Sequence, residues 1–197
     1  MRAKLIVAIL AAAGLAWLAS EVVAGNTMPF DLDVRNAIHA QSTPALTAAM
    51  MFCSFIGEAY VLAPLTFLIA VALWRLGRKD RAAMFVIALA GALAIQNVLK
   101  LSIHRGRPES FFNYPPLASY SFPSGHALVS TVFFGISAAL ISSRLRAPWK
   151  KALVWAAAIL MVAGIGVSRV YLGVHFPTDV IGGYAAGVAW MLLVVRI

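Results

Sequence analysis

Ser168-Arg169-Val170-Tyr171-Leu172-Gly173-Val174-His175-Phe176-Pro177-Thr178-Asp179 lies between two apolar runs, Ala152–Val167 and Val180–Val195. An arginine, a histidine and an aspartate therefore sit together between two stretches suited to a bilayer. A charge at a membrane edge is costly unless it is paired, hydrated or used. Asp179 follows His175 by four residues, about one helical turn, so its carboxylate can hold one ring nitrogen and fix the tautomer of the other. A plainer reading competes, in which Arg169 and His175 snorkel in a wet loop and Asp179 caps the next helix.

The rest of the chain is equally membrane-like. Of 197 residues, 62% are hydrophobic and 12% charged, the latter about half the globular norm. The net charge of +9 has no basic run interleaved with polar surface, so nucleic acid is not the expected partner. Cys53 is the single cysteine, which leaves no internal disulfide and no CxxC site. Six apolar runs stand out: Leu5–Ala19, Ala59–Trp74, Ala82–Leu99, Ala127–Ile141 and the two flanking the opening stretch. They are close to the minimum length of a spanning helix. The expected fold is all-α, a six-transmembrane-helix bundle forming one membrane domain over residues 1–197. The first run has a second reading as a cleaved signal peptide, with Met1 to Lys4 as its charged leader. Between runs one and two, Asp31–His39 and Ala45–Ile56 read as short helices along the membrane surface, the second capped by Thr43-Pro44 and ended by Gly57.

Lysines and arginines fall unevenly about these runs. Eleven (Arg2, Lys4, Arg75, Arg78, Lys79, Arg81, Arg144, Arg146, Lys150, Lys151 and Arg196) lie on one side, and five (Arg35, Lys100, Arg105, Arg107 and Arg169) on the other. The positive-inside rule places both termini in the cytoplasm of a cell-membrane protein. The cations left outside need another reason to be there. Gly183 and Gly187 form a GxxxG pair read as plain helix packing.

Two further stretches share the outer side. Lys100-Leu-Ser-Ile-His-Arg-Gly-Arg107-Pro108 reads as a loop after run three, and Ser121-Phe-Pro123-Ser124-Gly125-His126 introduces run four. A helix start presents free N–H groups and a positive dipole end, glycine lets an anion approach, and a serine hydroxyl adds a donor. Lys100, Arg107 and Arg169 bring cations to the same place, arginine being able to grip phosphate through two N–H groups. The combination favours a tetrahedral anion.

Lys100-x6-Arg107-Pro108, Pro123-Ser124-Gly125-His126 and Ser168-Arg169-x5-His175-x3-Asp179 resemble the three signature motifs of the type 2 phosphatidic acid phosphatase (PAP2) superfamily, intact and in order. The resemblance spans roughly residues 59–195, and the layout is similar to the membrane lipid phosphatase branch. It implies that His175 attacks phosphorus to give a phosphohistidine, that Asp179 holds its other nitrogen, and that His126 protonates the leaving oxygen and later activates water. Lys100, Arg107, Ser124, Gly125 and Arg169 would bind the phosphoryl oxygens. The implied substrate is a lipid phosphate or diphosphate, such as undecaprenyl diphosphate, phosphatidylglycerophosphate, phosphatidate or a lipid A phosphate, met on the extracytoplasmic face.

No cofactor or metal is expected. The outer carboxylates Glu21, Asp31, Asp33, Glu58, Glu109 and Asp179 show no close pair near the histidines, Asp31 and Asp33 being distant in sequence. Guanidinium and ammonium groups would supply the charge stabilisation that a metal often gives. Arg105, beside Gly106, is expected as an additional substrate contact that would favour a diphosphate. Phe111, Phe112, Tyr114, Tyr120 and Phe122 are expected to form an interfacial aromatic belt, and His39 to be surface. The alternatives are a lipid phosphotransferase and a non-catalytic transporter or scaffold on the same bundle; the latter would be expected to have lost His175, His126 or Asp179.

Overall fold

The structure is a computed structural model that describes residues 2–115 and 118–195. Met1 of the charged leader and Arg196 of the charge count lie outside the described residues. The described residues form eight helices: α1 Arg2–Val23, α2 Met28–His39, α3 Pro44–Ile56, α4 Ala59–Arg75, α5 Lys79–Ile103, α6 Gly125–Ser142, α7 Pro148–Tyr171 and α8 Pro177–Val194. Five of them (α1, α5, α6, α7 and α8) are long and apolar enough to cross a membrane, and α3 with α4 makes a sixth candidate span bent by 46° at Gly57-Glu58. The chain is an all-helical, multi-pass membrane protein. Thr43 caps α3 by accepting from the Leu46 N–H, and Pro44 takes the first helical position, where no amide donor is needed.

Two helices run past the ends of their apolar segments. α5, at 25 residues, is about 38 Å long, more than a bilayer core. Lys100 is therefore in its last turn, not in the loop that the sequence indicated. Arg169 likewise belongs to the last turn of α7. Cations there meet the negative end of the helix dipole and free carbonyls, which lets a helix persist through a charge. His104 ends α5 in the left-handed conformation (φ 54°), reversing the chain so that the next residues turn back toward the bundle.

The main apolar core lies between α4, α5, α6 and α8, with Leu62, Phe85, Leu89, Leu128, Val132 and Ile136 buried. α1 packs along α8, and its Leu18 and Val22 cover Phe122. α6 and α8 meet along the glycine pair. A Cβ on Gly183 would lie 2.6 Å from the Ser124 carbonyl oxygen, and one on Gly187 would lie 2.8 Å from Thr131 Cβ. The Ser124 N–H also donates to the Asp179 carbonyl at 2.9 Å. The seam thus fixes the start of α6 against the start of α8. Gly183→Ala is expected to destabilise the protein by about 1–3 kcal/mol, since backbone must move to admit the methyl group. Thermal unfolding in detergent checks this, and an unchanged midpoint would show that the seam can relax.

Candidate active site

The α3–α4 bend, the ends of α4, α5, α6 and α7, and the α5–α6 and α7–α8 connections enclose a cavity of about 200 Å³. Its polar wall is Lys100, Arg107, Gly125, His126, Arg169 and His175, joined by Glu58 from the α3–α4 bend and Ser119 from the α5–α6 loop. Its other wall is Ala59, Leu93 and Val129, with Gln96 between the two. A second cavity of about 280 Å³ between α6, α7 and α8 is lined by Thr131, Trp155, Tyr184 and Met191 among apolar neighbours, with no acid, base or cation.

His175 is buried in the α7–α8 connection, 2% exposed, with both ring nitrogens engaged. Nδ1 lies 3.2 Å from Asp179 Oδ2 and 3.4 Å from Ser121 Oγ, and Nε2 lies 3.1 Å from Arg107 Nη1. A guanidinium has no acceptor, so Nε2 must carry the lone pair and Nδ1 the proton, which it gives to Asp179. Burial, opposed by the Asp179 contact and reinforced by Arg107 and Arg169, pulls the imidazole down to about 3. The ring is neutral near pH 7, with its free nitrogen aimed at the cations.

Asp179 is fully buried. Its Oδ1 accepts from Arg105 Nη1 at 2.6 Å, and its Oδ2 accepts from the Phe176 N–H at 2.8 Å and from the Ser121 hydroxyl. These partners hold the carboxylate where His175 needs it.

The cations are held chiefly by carbonyls and hydroxyls. Lys100 Nζ donates to the Tyr120 carbonyl. Arg107 donates through Nε to the Ser119 carbonyl (2.6 Å) and through Nη1 to the Val174 carbonyl (2.8 Å). Burial, with Arg169 nearby, lowers the Arg107 guanidinium to about 10, still charged at neutral pH. Arg169 is fully buried, and its Nη1 donates to Ser54 and to Tyr114 Oη (3.1 Å). Its Nε and Nη2, and the Ser124 hydroxyl, are buried with no partner among the described residues. Such donors are expensive to leave unmade unless a ligand takes them. His126, near the start of α6, has Nε2 3.2 Å from Glu58 Oε1, too far off line for an aligned hydrogen bond.

The structure therefore brings His175, His126, Lys100, Arg107, Gly125 and Arg169 to one cavity, with Asp179 behind His175 and Ser124 beneath Gly125. Arg105 is a correction. The turn at His104 sends it inward, 9% exposed, where Nη1 and Nη2 bind Asp179 Oδ1 and Asp31 Oδ2, each at 2.6 Å. Two buried carboxylates take its charge, so it is not the spare cation that its place beside Gly106 suggested. Asp31, set aside as remote, also accepts from the Thr178 N–H (2.9 Å) and hydroxyl (2.7 Å). The aromatic belt is corrected too. Phe122 is fully buried, Phe112 stacks on Tyr171, Phe111 stacks on His39, and Tyr120 stays exposed. His39 is half-buried by that stacking, not free at the surface. Glu58, Ser54, Ser119 and Ser121 were not singled out as site residues. A buried-charge tally held the one usable signal, since Arg105 and Arg169 each required partners from outside the motifs.

A family model for the PAP2 superfamily matches residues 81–197. The chain is 31% identical over 155 residues to phosphatidylglycerophosphatase B of Bacillus subtilis, covering 77% of this chain and 74% of that one. It is 31% identical over 168 residues to an undecaprenyl-diphosphatase of Sulfolobus acidocaldarius, covering 82% and 75%. In fold it is similar to the crystal structure of a transmembrane PAP2-type phosphatidylglycerolphosphate phosphatase from Bacillus subtilis, with a TM-score of 0.84, 27% identity and coverage of 95% and 93%. With six candidate spans and the motif residues gathered at one end, the chain belongs to the PAP2 superfamily, in its membrane lipid phosphatase branch.

Proposed function

We propose that the protein removes phosphate from a lipid phosphate monoester or diphosphate through a phosphohistidine on His175, without a metal, on the extracytoplasmic face of the cell membrane. One observation carries this reading. The neutral Nε2 of His175 faces a cavity lined by Arg169, whose Nε and Nη2 are buried donors without partners among the described residues, and by Gly125, next to which the Ser124 hydroxyl is likewise unpartnered. A phosphoryl group set there would take those donors, draw the Arg107 N–H from Nε2, and leave that lone pair in line with phosphorus.

His175 Nε2 then forms a P–N bond as the P–O bond to the lipid breaks. His126 gives the leaving oxygen its proton. In the second step water attacks phosphorus, returns a proton to His126, and breaks the P–N bond to free inorganic phosphate. Lys100, Arg107, Arg169, Ser124 and the Gly125 N–H hold the phosphoryl oxygens throughout, as a metal does elsewhere. Among the described residues no three His, Cys, Asp or Glu side chains come together as a metal cage. Ala59, Leu93 and Val129 form the apolar side of the cavity, where a lipid chain can remain in hydrocarbon while its headgroup meets the cations. The names of the relatives make phosphatidylglycerophosphate and undecaprenyl diphosphate the leading substrates. The burial of Arg105 removes the reason to favour the diphosphate.

Purified protein in detergent, offered phosphatidylglycerophosphate, undecaprenyl diphosphate and phosphatidate, is expected to release phosphate from at least one. Release should be undiminished in EDTA and inhibited by vanadate. Phosphate release that fails in EDTA and returns with magnesium would overturn the metal-free mechanism. No release from any lipid, by protein that binds vanadate, would overturn the enzyme reading in favour of a carrier.

A further inference from the structure

Glu58 stands outside all three motifs and ahead of the residues that the family model matches. It occupies the position before α4 where a carboxylate would ordinarily cap the helix, yet its side chain makes no cap bond. Instead the carboxylate turns into the cavity, 3.2 Å from His126 Nε2 and 3.9 Å from Arg169 Nη1. The backbone is shaped for this approach. A Cβ on the preceding Gly57 would lie 3.0 Å from His126 Cδ2 and 2.6 Å from Ile165 Cγ2. Nε2 of His126 makes no aligned hydrogen bond among the described residues, and the Glu58 carboxylate is the charged group set against it.

We propose that Glu58 is the positioning residue that orients His126 and stabilises its imidazolium when it serves as the acid for the leaving lipid oxygen. This rests on the acid role given to His126 above. The groups that share the cavity with that ring are Arg169 on α7, Arg107 and Lys100 beside the phosphate position, and neutral His175. Tyr114, hydrogen-bonded to Arg169, completes the surroundings. Among the described residues Glu58 is the one carboxylate lining the cavity, which makes it the group placed to stabilise an imidazolium there. With the carboxylate on Nε2, the proton passes to the leaving oxygen from Nδ1. The P–O bond breaks with its electron pair on that oxygen, His126 becomes neutral, and Glu58 stays ionised. The water of the second step restores the imidazolium.

The test is single-turnover release of the leaving group, which isolates the first step. Two substrates are compared: the best lipid phosphate from the panel above, whose alkoxide or phosphate group must depart, and 4-nitrophenyl phosphate, whose phenolate leaves without a proton. Glu58→Gln is expected to slow the lipid reaction by about 100-fold and the aryl reaction by no more than about 3-fold. The alkaline limb of the lipid rate should move to lower pH, because the amide cannot hold the imidazolium. Glu58→Asp should recover part of the loss. The near-normal aryl rate shows in the same experiment that the variant is folded. Equal slowing of both substrates, or an unmoved alkaline limb, overturns the role of Glu58. His126→Ala is run beside it. If that variant also fails to discriminate between the substrates, the acid role of His126 falls and this inference with it. If only Glu58→Gln fails to discriminate, Glu58 alone is wrong.

Discussion

Replacing His175 by alanine is expected to end turnover, with a loss of about 10⁴-fold or more in kcat, the scale seen when a covalent nucleophile is removed. Among the described residues the nearby hydroxyls are poor substitutes, Ser119 Oγ being held by the Arg107 guanidinium rather than by a base. Ser121 Oγ is committed to Asp179, and the Ser124 hydroxyl sits at the start of α6 with no base against it among the described residues. The measurement is acid-quenched labelling with a ³²P-labelled substrate. Wild-type protein should carry an acid-labile, base-stable label, and His175→Ala none. Because burial holds His175 down to about 3, the unprotonated nucleophile persists well below neutral pH. Its titration should therefore not produce an acid limb in the rate of label formation between about pH 5 and 7. A labelled His175→Ala protein, or a tenth of normal turnover, would remove the phosphohistidine from the mechanism.

Arg169→Lys is expected to cost about 10²–10³-fold in kcat/KM although the charge is kept. The guanidinium is clamped at Nη1 by Ser54 and Tyr114, which leaves Nε and Nη2 presented together. An ammonium has no such fork and would be drawn to the Ser54 or Glu58 oxygens that Arg169 now approaches. Vanadate affinity should fall in parallel, since it reports the same donors without chemistry. A lysine variant with near-normal kcat/KM and vanadate affinity would mean that charge alone is used at this position.

The helices and most of the cavity were legible because their signals are local. Apolar length marks a span, and each motif places its residues within about three helical turns of one another. Lys100 and Arg169 were misassigned to loops because hydropathy falls where the charges begin, while the helix continues on carbonyls and dipole. The unread partners are distant in sequence. Asp31 lies 74 residues before Arg105, and Ser54 lies 115 before Arg169. Arg105 was misread because its direction depends on the left-handed turn at His104, which a non-glycine residue does not advertise. Glu58 was read only as one of the scattered outer carboxylates, because its approach to His126 depends on the packing of Gly57 against that ring.

The glycine seam between α6 and α8 has a consequence for how such a catalyst can diversify. It ties the Ser124-Gly125 turn, proposed to receive phosphate, with His126 and the His175–Asp179 pair into one closely packed block. Glu58, Gln96 and two members of the apolar wall, Ala59 and Leu93, belong to α4, α5 and the bend before α4, outside that seam, while Val129 is part of α6. Changes of side chain at Ala59, Leu93 or Gln96 can therefore reshape the room for a chain or headgroup while the reacting atoms keep their spacing. Relatives named for a phospholipid phosphate and for a polyprenyl diphosphate can share one chemical block and differ mainly in the furniture opposite it.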